Sequence, residues 1–245
     1  MERKLLTHPS FPQPKKNTDK VWRYLTLSKF LDFFLSKSLY FARVDYLEDT
    51  HEGTYTKLNT IDFPFVKTQL PSGGLPLTQE EYTKRLRTAN HVNCWRIDNN
   101  DSEAMWKLYC PNSEGIAIQT TYEKLANSLP DEKYLFMGLI NYRNYETETF
   151  NRSNHFNTVM HKRIAFEFEK EIRIVKGNIP FMNDHNLPLP EVGIKIKTSL
   201  LQNIEKIYIN PYAGKWYFQT IQGLFERFNI NLDLEWSEIN SPIYY

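Results

Sequence analysis

The hydrophobic positions along this chain change period several times, and each change marks a predicted element. Val21-Trp22-Arg23-Tyr24-Leu25 reads as a strand. A helix follows, with Leu27, Phe30, Leu31 and Phe34 at helical spacing behind a Thr26 or Ser28 cap. Leu39 to Arg43 is a second strand. Thr78-Gln79-Glu80-Glu81 is a capping box that predicts a helix to about Ala89. Further on, the spacing predicts strands over 91–96, 115–120 and 134–142, and helices over 102–109 and 122–129, the latter stopped by Pro130. Residues 154–167 read as a helix of mixed polarity. From Glu171 charged and apolar residues alternate with period two, the pattern of a half-buried strand. That strand would set Glu169, Glu171 and Arg173 on one face and Phe168, Ile172 and Ile174 on the other. A proline-punctuated loop over 178–192 leads to strands over 194–197 and 204–209, an amphipathic helix over 215–228, and a further short strand in the tail 232–245.

Strands and helices are interspersed without a strict strand–helix–strand alternation. The predicted class is α+β, with a mixed or antiparallel sheet and surrounding helices. One domain is expected over 21–245, behind a polar lead-in over 1–20, with a loop insertion near 53–77 that contains Pro71-Ser72-Gly73-Gly74. The 245 residues, 41% of them hydrophobic, suffice for one large core.

Charge and composition remove several classes of function. Lys and Arg number 30 and Asp and Glu 29, so no global field draws the chain to nucleic acid or to an anionic membrane. The Lys84-Arg85-Leu86-Arg87 and Lys162-Arg163 clusters leave local phosphate contact open against a solvated-face reading. No apolar run reaches the roughly 20 residues that span a bilayer, and the first residues do not read as a signal peptide. The 9 glycines form no Gly-x-Gly-x-x-Gly and no Walker loop. Cys94 and Cys110 form no Cys-x-x-Cys, and His155 and His161 are not four residues apart. The expectation is a cytoplasmic protein with two reduced cysteines, no metal site and no membrane contact.

Two carboxylates on one strand face repel and need a reason. Either the face is solvated and Arg173 neutralises Glu171, or the pair lines a cleft and stabilises a cationic transition state. The acidic run Asp45, Glu48, Asp49 and Glu52 is likewise a solvated loop or a metal cluster completed by the later glutamates. Large aromatics such as Trp22, Tyr24, Trp106 and Tyr109 serve packing more often than ligands.

Three blocks recur together. They are Trp22-Arg23-Tyr24-Leu25 with Leu39-Tyr40-Phe41 and Asp45…Asp49…Glu52-Gly53; Cys94-Trp95-Arg96 with Met105 to Tyr109 and Glu114 to Ile118; and Lys162-Arg163…Phe166…Glu169-Lys170-Glu171-Ile172-Arg173, closed by Ile207 to Pro211. In this ordered set the chain resembles the bacterial domain-of-unknown-function family twenty-nine seventy-one over most of 21–210. That family is similar to the DNA-modifying toxin branch of the ADP-ribosyltransferases. The resemblance implies an ADP-ribosyltransferase-like fold, with Arg23 on the first core strand and Glu169-Lys170-Glu171 on a later one. Cys94-Trp95-Arg96 stands where relatives usually carry Ser. It further implies NAD as substrate, Glu171 as catalytic carboxylate with Glu169 second, and Arg23, then Arg96, on the pyrophosphate. Tyr24, Trp95, Trp106 and Tyr109 would stack on the rings. Cleaving the nicotinamide–ribose bond gives an oxocarbenium-like transition state with a cationic leaving group, so a carboxylate near the ribose is needed and an acid for the leaving group is not. The implied role is a transferase or NAD glycohydrolase acting as a toxin or phage-defence effector, with protein, nucleic acid or water as acceptor and an antitoxin or defence-system partner. Two readings compete with it. One is a metal-dependent nuclease using Asp45 or Glu52 with Glu169 or Glu171, although no Lys stands two residues after either glutamate. The other is a catalytically inactive binding module, which the missing Ser favours.

Overall fold

A computed structural model describes residues 8–61 and 77–240. The Pro71 to Gly74 stretch, most of the expected insertion and the end of the tail lie outside the described residues. Strand β1 (Lys20–Thr26) runs into helix α1 (Leu27–Ser36), where the Thr26 hydroxyl accepts the Lys29 amide as the cap. Strand β2 (Ser38–Arg43) follows, and a short helix α2 (Lys57–Ile61) stands inside the expected loop. Helix α3 (Gln79–Ala89) starts on the predicted capping box: Glu81 Oε2 accepts the Thr78 amide at 2.8 Å, and the Thr78 hydroxyl accepts the Glu81 amide at 3.2 Å. Next come β3 (Asn90–Ile97), α4 (Glu103–Tyr109), β4 (Gly115–Thr121), α5 (Tyr122–Ser128), β5 (Leu135–Leu139) and β6 (Asn141–Arg143).

The helix expected over 154–167 does not form. Its place is taken by a single turn α6 (Phe156–Val159), strand β7 (His161–Arg163) and a 3-10 run Ile164–Glu169. The Asn154 side chain accepts the Phe156 amide at 2.9 Å, and the Asn157 amide group donates to the Asn151 carbonyl at 2.6 Å. Such local side-chain bonds compete with a continuing helix. Lys170 then takes a left-handed conformation, φ 44°, and turns the chain into β8 (Glu171–Gly177). Glu169 is therefore on the turn before the strand and does not share the strand face of Glu171. The chain ends with α7 (Ile179–Asn183), β9 (Gly193–Lys197), β10 (Lys206–Ile209), α8 (Lys215–Arg227) and β11 (Asp233–Trp236).

Nine of these strands form one sheet in the order β11-β10-β4-β1-β3-β2-β9, with β8 pairing both β3 and β5. Its pairings are antiparallel except β10 with β11, which is parallel. Strands β6 and β7 form a separate parallel pair. The fold is α+β, a mixed sheet with surrounding helices. One face carries the main core, where Val21, Leu25, Trp95, Ile116, Ile118, Ile172 and Ile174 meet α1, α5 and α8. The other face carries two smaller apolar clusters. Val92, Val175 and Phe11 belong to one; Trp22, Tyr24, Trp106 and Tyr208 belong to the other. Strand alternation and register put Cys94, Arg96, Glu171 and Arg173 on this second face, between the two clusters. Among the described residues no helix is long and apolar enough to cross a membrane.

Candidate functional site

The sheet forks at β3. One edge of β3 pairs with β8 from Asn90 to Arg96. The other edge is shared: β1 pairs only at Val21–Ile97 and Trp22–Arg96, and β2 only at Ala42–Val92 and Arg43–His91. Between those contacts Asn93, Cys94 and Trp95 face a gap. Backbone polar groups beside it must be satisfied by side chains. Arg23 Nη1 donates to the Cys94 carbonyl at 3.3 Å, and Asn93 Nδ2 donates to the Tyr40 carbonyl at 2.8 Å. Trp95 Nε1 donates to Asn93 Oδ1 at 2.7 Å and fixes that amide.

The fork opens into a cavity of about 530 Å³, within the range of roughly 300–1,000 Å³ usual for small-molecule and cofactor sites. Arg23, Tyr24, Trp95, Arg96, Tyr109, Glu169 and Glu171 all line it. By strand alternation Arg23 shares the face of Val21 and Leu25, whereas Glu171 belongs to the opposite face. They reach one cavity because it is a break in the sheet and not a groove over either face. Trp106 is the exception. It is fully buried among Trp22, Tyr24 and Met105, donates from Nε1 to Asp101 at 3.1 Å, and does not line the cavity. Its expected stacking role is corrected to packing.

The glutamates belong to a buried ionic hub. Arg173 donates from Nε to Glu171 Oε1 at 2.7 Å and from Nη2 to Glu171 Oε2 at 3.0 Å. The same guanidinium holds Glu52 by two bonds of 2.9 and 3.1 Å and donates to the Val159 carbonyl at 2.8 Å. Lys162 Nζ donates to Glu169 Oε2 at 2.5 Å and to Glu171 Oε2 at 3.2 Å, and stands 3.3 Å from Glu52. Three carboxylates thus meet two cations, leaving one net negative charge beside the cavity.

The two candidate carboxylates differ sharply. Burial works against ionising Glu171, but Arg173 and Lys162 outweigh it and bring its pKa down to about 2. Both its oxygens are bonded to cations. Burial pushes Glu169 up, and Lys162 offsets only part of that. Its Oε1 accepts no hydrogen bond among the described residues. Cys94 is driven upward by burial and by Glu171, so it stays a thiol.

Arg23 is the opposite case to Arg173. Its guanidinium is desolvated, which lowers its pKa to about 10. It lies over the Trp95 ring at 5.7 Å and pairs with no carboxylate among the described residues. Arg96, expected as a second pyrophosphate ligand, is already engaged by Asp98 and the Phe168 carbonyl, both at 2.5 Å. Tyr24 accepts the Ser102 amide at 2.9 Å and stands edge-on to Trp106.

The reading of the acidic run as a solvated loop fits the exposed Glu48 and is corrected for Glu52. Glu52 is 3% exposed. Gly53 beside it has φ 73°, and a Cβ there would meet Val44 at 2.8 Å. Asp45 pairs with Arg43 and Asp49 with Arg163. Lys162 is buried in the hub and is not a solvated phosphate contact. The pairing of Glu52 with Arg173 spans 121 residues of chain, and no local pattern announces it. Among the described residues no group of His, Cys, Asp or Glu is arranged to hold a metal ion; Lys162 and Arg173 take the place among the three acids that a cation would need. No family model matches this chain, and no curated protein matches it.

Proposed function

We propose that the forked-sheet cavity binds NAD and that the protein is an ADP-ribosyltransferase-like enzyme that breaks the nicotinamide–ribose bond. One observation carries this reading: a guanidinium without a counter-charge and a carboxylate with an uncommitted oxygen, Arg23 and Glu169, face one cavity of cofactor size. A desolvated guanidinium favours an anion, and its fork suits the pyrophosphate. The net negative charge of the hub favours the developing oxocarbenium. Glu169 takes the active role, ahead of Glu171. As the glycosidic bond breaks, its electron pair neutralises the nicotinamide nitrogen. A nucleophile, water or a macromolecular hydroxyl or amine, then bonds to the ribosyl carbon, and Glu169 Oε1 accepts its proton. Glu171 and Arg173 hold the scaffold. The fork, with an Arg on the first strand and a Glu just before a later one, supports an ADP-ribosyltransferase-like fold, as does the family resemblance. A toxin or phage-defence role in the cytoplasm, with an antitoxin partner, belongs to the same reading.

The test is incubation of purified protein with NAD, following nicotinamide release and label transfer, alongside calorimetric binding. The expected result is release by the wild type, lost in Glu169→Gln and reduced through binding in Arg23→Gln. Wild-type protein that neither binds NAD nor releases nicotinamide would overturn the reading. Binding without release would favour an inactive binding module, which the saturation of Glu171 also supports.

A further inference from the structure

Tyr109 closes helix α4, one turn beyond Met105, and both line the cavity. The helix end is fixed on either side of it. Trp106 is fully buried, and Cys110 bonds from Sγ to the Leu25 carbonyl and from its amide to the Trp106 carbonyl. Tyr109 is 40% exposed, lines the cavity, and lies within electrostatic reach of Arg23, Glu169 and Glu171. Among the described residues its hydroxyl forms no hydrogen bond. A hydroxyl held by an anchored helix end in the cavity wall, and left without a protein partner, is open to a ligand.

We propose that Tyr109 is a specificity-determining residue that donates a hydrogen bond to a ribose hydroxyl, so that the cavity selects a ribonucleotide over its 2′-deoxy counterpart. This rests on the NAD reading above. The chemistry follows from the neighbours. A ligand group placed between Tyr109 and Glu169 must accept from the phenol and donate to a carboxylate oxygen. A sugar hydroxyl does both; a phosphate oxygen cannot donate, and a ring carbon does neither. Burial, then the charges of Glu169 and Glu171, push the phenol above its usual pKa, so it remains a donor throughout the neutral range. Arg23, on the wall of the same cavity, takes the phosphate.

The experiment compares equilibrium binding of NAD with that of the NAD analogue lacking the 2′-hydroxyl on the nicotinamide ribose, for wild type and Tyr109→Phe. Wild type is expected to favour NAD by at least about tenfold, since a site built to bond a hydroxyl rejects a ligand without one. Tyr109→Phe should reduce that preference to within about threefold and raise KM for NAD more than it changes kcat. Equal wild-type affinity for the two ligands, or a full preference retained in Tyr109→Phe, overturns the assignment while leaving the NAD reading in place. Absence of NAD binding by wild type removes both. Because the ring is partly exposed and its hydroxyl bonds to nothing in the fold, the variant keeps the wild-type stability.

Discussion

Two sets of charge flank the same break in the sheet, one fully buried and one half-buried, and the protein treats them in opposite ways. In the hub, Arg173 spends its guanidinium on Glu52, Glu171 and a carbonyl. Across the cavity, Arg23 makes one long bond to a carbonyl and stacks over an indole. Burying a charge fully costs several kcal/mol, and partial desolvation at Arg23 costs less but is likewise unfavourable. In the hub that cost is offset inside the protein; at Arg23 it is left standing. A cost left standing in a well-packed fold points to a group kept for something that arrives from outside. The contrast separates charges that build the site from charges that use it.

Substituting the hub arginine should give the largest effect. Arg173→Met leaves Glu52 and Glu171 buried, with Lys162 as their shared cation. The expected loss is about 3–5 kcal/mol in denaturant unfolding, the usual cost of breaking a buried pair from one side. A loss under about 1 kcal/mol would mean that the hub is not a structural device.

Acid titration gives a smaller and signed effect. The folded pKa of Glu171 lies near 2, below its ordinary 4.5. Its contribution to stability is therefore complete above about pH 4.5 and fades as the pH falls toward 2. Glu169 has the other sign. Its folded pKa is raised, so the native state holds that proton more tightly and gains as the pH falls. Comparing urea midpoints at pH 7 and pH 3, Glu171→Gln should flatten the acid loss and Glu169→Gln should steepen it. The same direction for both variants would erase the distinction between the two glutamates.

Glu169→Gln should otherwise cost little stability, about 1 kcal/mol or less, because Lys162 keeps Glu171 and Glu52 as partners. Its effect on nicotinamide release should be on the order of 10²–10⁴-fold, the range for loss of a general base. Near-wild-type release by this variant alongside inactivity of a folded Glu171→Gln would return the catalytic role to Glu171.

Much of this fold is legible in local pattern. The β1–α1 pair, the Thr78 capping box and the period-two run after Glu171 each carry their signal within a few residues, and each forms. What fails to show is set by distance or by local side-chain bonds that compete with the pattern. The helix expected over 154–167 loses to asparagine side chains that bond locally and to Lys162, whose partners include an acid on a remote loop. The acidic run looks solvated because Arg173, which buries Glu52, stands 121 residues away. The fork at Asn93 to Trp95 is a matter of register between three strands, and periodicity does not fix register across long connections. Arg23 and the two glutamates were legible as a triad of site candidates. That they approach from opposite faces of the sheet was not.

The same substitution at the second arginine should barely move stability, and this sharpens the contrast most. Arg23→Met removes a desolvated charge that no carboxylate answers among the described residues, and it replaces the stem with a chain of similar length beside Trp95. Unfolding free energy should stay within about 1 kcal/mol of wild type, with a gain more natural than a loss, since methionine suits an apolar wall. The Cys94 carbonyl loses one long bond and keeps its place at the edge of the cavity. NAD affinity should fall by roughly 10- to 150-fold, the worth of a charge-assisted bond of about 1.5–3 kcal/mol. Thus one amino-acid change, arginine to methionine, should strongly destabilise the protein at Arg173 and disarm it at Arg23. A destabilisation of about 2 kcal/mol or more at Arg23, with NAD affinity unchanged, would mean that its charge is answered within the fold and that the two arginines are of one kind.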